Sequence, residues 1–255
     1  MPGDPYYAPP PARPFRDELG VNPGRLRIGL RVTAPDAMAA TDPECESAAR
    51  DAAALLESLG HQVVEASPSA LDDASLMAHF TTVLTTSVVR DVQDVARAIG
   101  RDVTPDDVEP LTWAYYEAGL QNTAIQYLDA LTEAHAWSRR VATWWAPVDE
   151  GGEGFDLLLT PTMAEPPPQL GDVVGTSEDP WHGMARASAF ACYTAPFNMT
   201  GQPAMSVPLT WEASRNLPIG VQLVGEYAHE DLLVRVASQL EAARPWAERH
   251  PVVHA

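Results

Sequence analysis

With 255 residues, of which 45% are hydrophobic, 20% charged and 7% aromatic, the chain has the make-up of a globular protein able to bury a sizeable core, as one large α/β domain or two small ones. Its formal charge of −19, from 35 acidic against 16 basic residues, repels phosphate backbones and anionic lipid, so neither nucleic acid nor membrane is an expected partner. No apolar run approaches a bilayer span and Met1-Pro2-Gly3-Asp4-Pro5 does not resemble an export signal, so a cytoplasmic location is expected.

Residues 1–25 are dense in Pro and Gly, with Tyr6-Tyr7-Ala8-Pro9-Pro10-Pro11 unsuited to helix or central strand, and read as a surface-hugging connector. Arg25 to Leu30 reads as a short buried strand. Asp42-Pro43-Glu44 caps a helix that runs to Leu59, with Gly60 as its stop and Ala48, Ala52, Leu55, Leu56 and Leu59 on its apolar face. His61 to Glu65 follows as a second strand, and the strand, helix and strand suggest a parallel crossover. Asp72 to Ile99 is a long helical stretch ended by Gly100. Thr104 and Pro105 open another, read as continuing to about Trp145 and carrying Trp113, Tyr115, Tyr116, Tyr127, Trp137, Trp144 and Trp145, an aromatic load at the spacing of core packing. Phe155 to Thr162 looks like a central strand stopped by proline. After a Pro- and Gly-rich segment, 166–180, come a helix from Trp181 to Cys192, strands Ala204–Leu209 and Ile219–Val224, and a last helix from Glu230 to about Ala243.

Few residues are arranged for chemistry. His250 and His254 are the only histidines four apart, Pro251 lies between them, and no metal site is expected. Asp72-Asp73 and Asp106-Asp107 sit at expected helix starts, where carboxylates complement the helix dipole. The loop Gly151-Gly152-Glu153-Gly154 precedes a strand instead of opening a helix and is no phosphate cradle. No G-x-S-x-G occurs, and no two serines are adjacent. Cys45 and Cys192 lie far apart in no C-x-x-C pattern, so buried free thiols are expected, with a nucleophilic Cys192 as the less favoured reading. All 16 basic residues are arginines, leaving the chain without a single lysine.

Three stretches taken together resemble the amidase-signature family, which includes amidases, cyclic-dimer hydrolases and an amidotransferase subunit. They are Phe155-Asp156-Leu157-Leu158-Leu159-Thr160-Pro161-Thr162, the block from Thr194-Ala195-Pro196-Phe197-Asn198-Met199-Thr200-Gly201-Gln202 to Pro208, and Leu217-Pro218-Ile219-Gly220-Val221-Gln222-Leu223-Val224-Gly225. The resemblance implies an α/β fold with a mixed β-sheet flanked by α-helices, and it places residues 1–255 in the later part of that single domain, the N-terminal portion being absent. It further implies amide-bond hydrolysis by a Ser nucleophile, a cis-Ser bridge and a Lys base, all upstream, so no catalytic residue carries over to a chain with no lysine. No cofactor is implied. Pocket walls are implied near Trp113, Tyr116, Trp181 and Cys192, with Asn198 and Gln202 holding turns beside them.

The expected partners are therefore a small-molecule amide, in the complete enzyme, and the missing N-terminal half; a homo-oligomer is compatible with the sequence. If that half covered on the order of 1,000 Å² of apolar surface, its loss would forfeit up to ~25 kcal/mol. That exceeds the ~5–15 kcal/mol of usual domain stability, so open sheet edges and an apolar patch are expected. The alternative is a non-catalytic binding or assembly subunit that keeps the later part of the fold.

Overall fold

A computed structural model describes residues 8–35, 39–73 and 75–249. Five strands, β1 (Arg27–Leu30), β2 (Gln62–Glu65), β3 (Leu157–Pro161), β4 (Ala204–Trp211) and β5 (Pro218–Gly225), form one sheet in the order β2-β1-β3-β5-β4. β1 is parallel to β2 and β3, whereas β5 is antiparallel to both β3 and β4, so the sheet is mixed as expected. β3 is buried at every position because both sheet faces are covered, which is why it reads as a continuous apolar run.

One face carries α1 (Pro43–Ser58) and α7 (Glu230–Ala243), whose Ala48, Ala52, Leu56, Leu233, Val236 and Leu240 pack on Ile28, Leu30, Leu157, Leu159, Val221 and Leu223. The alternate strand residues Leu158 and Val224 point the other way. They meet Trp137 and Val141 of α4 (Ala124–Ala142), Trp144, Trp145, Phe155, and Phe197 of α6 (Ala195–Thr200). α2 (Ser75–Ile99) and α3 (Pro110–Gly119) pack with one another, and α2 also packs on α4. α1 starts as its sequence signals: the Asp42 carboxylate accepts from the Glu44 N–H at 2.8 Å, Pro43 needs no acceptor, and Gly60 beyond the end takes φ +98°.

Two expectations are corrected. The helix read from Thr104 to about Trp145 is a 3-10 turn at Pro105–Asp107 followed by two helices, α3 and α4. Glu109 is extended ahead of Pro110, and Thr123 opens α4 with a capping box: its N–H donates to Gln126 Oε1 at 2.8 Å while the Gln126 N–H donates to Thr123 Oγ1 at 3.2 Å. Asn122 holds the break by donating to Thr85 Oγ1 and Thr86 Oγ1, both at 2.9 Å. Asp72 belongs to a 3-10 turn, Ser69–Asp72, ahead of α2.

Among residues 8–25 the chain is fastened to α7 by charge. Glu18, only 2% exposed, accepts from Arg13 Nε at 2.5 Å and from Arg235 Nε at 2.7 Å. The edge strands are open: β2 exposes Gln62, Val64 and Glu65, and β4 exposes Ala204 and Ser206 and shifts register around Pro208, a residue suited to an edge. Leu120, Ile125 and Leu128 are exposed on the turn between α3 and α4 and on α4. No helix among the described residues is long and apolar enough to cross a membrane.

Candidate functional site

The parallel strands β2, β1 and β3 all end at the same edge of the sheet, where ligand crevices of α/β proteins form. Three segments leave that edge: Arg31–Pro35 after β1, Ala66–Asp73 after β2 and Thr162–Glu165 after β3. The Arg31 guanidinium, buried at 7% exposure, organises the first two. Its Nε donates to the Thr33 carbonyl at 2.8 Å, its Nη2 to the Ala34 carbonyl at 3.1 Å and to Asp72 Oδ1 at 2.5 Å, and its Nη1 to Ser67 Oγ at 3.3 Å. Tyr193 braces the same loop from the opposite side, donating its hydroxyl to the Val32 carbonyl at 2.6 Å. Gln222 of β5 donates to the Tyr193 carbonyl and to Thr160 Oγ1, both at 3.1 Å, and so pins the residue after Cys192 to the sheet.

Between these braces lies a groove. α2 supplies Leu76, Met77 and Phe80, and the segment from Cys192 into α6 supplies Cys192, Pro196 and Met199. The inner end encloses about 30 Å³, and past Phe80 the groove widens into a mouth of about 220 Å³ between Leu84 of α2 and Met184 and Ala187 of α5 (His182–Phe190). Small residues on one wall, Ala187, Ala191 and Ala195, leave the width; flexible Met and Phe side chains on the other adapt to what enters. Asp73 is the single carboxylate on the lining, and it is already engaged. Ser75 donates to it through Oγ at 2.6 Å and through its N–H at 3.1 Å, and Arg140 reaches it at 2.6 Å. Those bonds, Ser75 first, hold its carboxyl below the usual range.

Cys192 lines this groove, but burial pushes its thiol up to about 11 and keeps it protonated at neutral pH, which speaks against a nucleophile. Cys45 is pushed by burial up to about 12, and both thiols are unpaired. Trp113 and Tyr116 are brought together, and neither they nor Trp181 line the groove beside Cys192. Trp113 meets Tyr116 with ring centroids 5.1 Å apart, and Trp181 meets Tyr115 edge-on at 5.4 Å. Gln202 does hold a turn, its Nε2 donating to the Gly225 carbonyl at 3.0 Å, while Asn198 is exposed. Among the described residues no His, Cys, Asp and Glu group is arranged to hold a metal, and the pair His250 and His254 lies outside them. The residues that the sequence reading missed are Arg31, Met77 and Phe80: a basic residue after a strand and two apolar residues on a helix carry no mark of their place in a groove.

A mixed sheet carrying a ligand crevice at the ends of its parallel strands is the architecture of many α/β enzymes. The family model for Amidase matches residues 1–234, and the chain belongs to the amidase family. It is 38% identical over 257 residues to 6-aminohexanoate-cyclic-dimer hydrolase of Paenarthrobacter ureafaciens, and 39% identical over 258 residues to the protein so named in Pseudomonas sp. strain NK87. Each alignment covers 98% of this chain and 50% of the relative, so the chain spans about half the length of the curated relatives it matches. A solved structure of 6-aminohexanoate cyclic dimer hydrolase complexed with substrate superimposes with a TM-score of 0.89 at 37% identity, over 99% of this chain and 52% of that one. A bacterial aryl acylamidase, at 20% identity and a TM-score of 0.69, shares the fold.

Proposed function

We propose that this chain is the later, substrate-holding part of an amide-bond hydrolase, and that the groove between α2 and the α5–α6 segment receives the acyl portion of an uncharged amide. The observation that carries the reading is the groove itself: it opens at the ends of the parallel strands, and its one carboxylate is already engaged by Ser75 and Arg140. Such a lining favours methylene or aryl groups and offers no counter-ion to a charged one. An amide of the kind named for the 38% identical relative, a cyclic dimer of 6-aminohexanoate, suits that chemistry.

In this reading the chain has no catalytic residue of its own. A lysine and two serines on the preceding half perform the chemistry: the lysine takes a proton relayed by the bridging serine from the nucleophile, an acyl-enzyme forms, and water releases the acid. The residues of this chain hold the acyl group, exclude water from it and keep the loops around Arg31 and Tyr193 in place. Open β2 and β4 edges and the exposed Leu120, Ile125 and Leu128 support a fold that continues onto further chain. Two unpaired buried thiols suit a reducing compartment, and we place the protein in the cytoplasm.

The test is to express the chain alone and together with the coding sequence immediately upstream of Met1, and to follow amine release from 6-aminohexanoate cyclic dimer. Release is expected only when an upstream lysine and Gly-Ser-rich segment are present. Equal release by the chain alone overturns the reading, and saturable binding without turnover in either form selects the non-catalytic binding or assembly subunit instead.

A further inference from the structure

A second cleft lies against α3 and takes up Trp113, an aromatic residue that the groove leaves out. Pro110, Trp113, Ala114 and Glu117 are spaced i, i+3, i+4 and i+7 and share one face of α3. With Asp106 at one end and Ser177 and Pro180 across from them, they line a cleft of about 240 Å³. Its far wall is ordered. The Thr176 N–H donates to the Asp179 carbonyl and the Asp179 N–H to Thr176 Oγ1, both at 3.1 Å, and the edge contact of Trp181 with Tyr115 fastens the strap to α3.

We propose that this cleft binds a small organic ammonium ion. An indole lines the cleft with no cation upon it; the two cation–ring contacts among the described residues involve Phe155 and Trp211. The carboxylates flanking that indole, Asp106 and Glu117, make neither an ion pair nor a hydrogen bond among the described residues. The adjacent Asp107, by contrast, is consumed by Arg101 through two bonds of 2.7 Å and by Thr104. The one arginine of that turn is thereby engaged by Asp107, and it does not line the cleft. An indole that shares a cleft with two unpaired carboxylates attracts an ammonium group electrostatically, and Pro110, Ala114 and Pro180 offer apolar contact to a short alkyl chain. The net charge of −19 adds a long-range pull on cations. The volume suits a molecule of a few heavy atoms, and the site does not rest on the hydrolytic reading given above.

The experiment is calorimetric titration of the full chain with n-hexylammonium chloride at neutral pH and low ionic strength, with n-hexanol as the uncharged isostere. Saturable binding of hexylammonium is expected, with hexanol at least ~10-fold weaker, and with Trp113→Leu and Glu117→Gln each weakening hexylammonium by ~5-fold or more. Glu241→Gln on α7, across the sheet, is expected to leave binding unchanged. Equal binding of hexanol, an unchanged Glu117→Gln, or an equal loss in Glu241→Gln overturns the proposal, the last by showing diffuse attraction to the whole acidic surface. Glu117 is exposed, so its variant tests the site even if Trp113→Leu unfolds, and no step reads amide hydrolysis.

Discussion

Replacing Arg31 by Met keeps a long apolar stem and removes the guanidinium donors to the 31–35 loop, leaving the Tyr193 hydroxyl on the Val32 carbonyl. The carbonyl of Ala34, in a residue 6% exposed, then loses the Arg31 donor, and an orphaned buried carbonyl costs ~1–3 kcal/mol. The pair with Asp72 adds ~0–1 kcal/mol, because the Asp72 side chain is 58% exposed and solvent screens it. Thr33 is exposed, so water can replace the donor to its carbonyl. The expected loss is ~1–4 kcal/mol, with its middle near ~2.5 kcal/mol. In urea, with an m-value of ~3 kcal/mol/M for a chain of this size, the midpoint should fall by roughly 1 M with m unchanged. Asp72→Asn is expected to cost under ~1 kcal/mol. If Asp72→Asn costs as much as Arg31→Met, the ion pair and not the carbonyl cradle holds the loop, and the reasoning fails.

Further outcomes are expected from the same structure. A Cβ on Gly119 would sit 2.2 Å from the Thr85 carbonyl oxygen, so Gly119→Ala should force α3 off α2 and cost ~1–3 kcal/mol in the same titration. The Glu18 carboxyl is held down to about 2 by hydrogen bonds from Arg13 and then Arg235; its contribution is therefore complete above pH 4.5 and lost as pH falls toward 2. A melting series across that window should show a slope that Glu18→Gln flattens. With its thiol at about 11, Cys192 should be only ~0.1% thiolate at pH 8, so iodoacetamide should label it slowly in the native chain and rapidly in urea. If the groove holds the acyl group, Ala195→Phe should raise KM for the cyclic dimer in the assembled hydrolase more than it lowers kcat.

How much of this was legible in the sequence differs by element. α1 was readable because Asp42, Pro43 and Gly60 mark its ends by local chemistry, and β3 because a doubly covered strand must be apolar throughout. The break between α3 and α4 was signalled by Thr123 and Gln126 but hidden by an apolar and aromatic pattern that runs on through it. Of the four residues implied near a pocket, Cys192 lines the groove and Trp113 a separate cleft, while Tyr116 and Trp181 are seen in ring contacts with Trp113 and Tyr115, contacts between elements that local sequence does not announce.

The sequence by itself determined the five strands in their order, the amidase family and the absence of lysine, since each of these is written in local spacing or simple count. Only the tertiary structure decided what each apolar face meets. Helical periodicity puts Met77, Phe80 and Leu84 on one side of α2, yet nothing local distinguishes a side that faces the sheet from one that faces a groove walled by Ala187 and Cys192, more than a hundred residues away. The same holds for Arg31, whose burial depends on carbonyls and on Asp72 converging from two separate strand ends. Such contacts join residues distant in the chain, and folding alone brings them within reach.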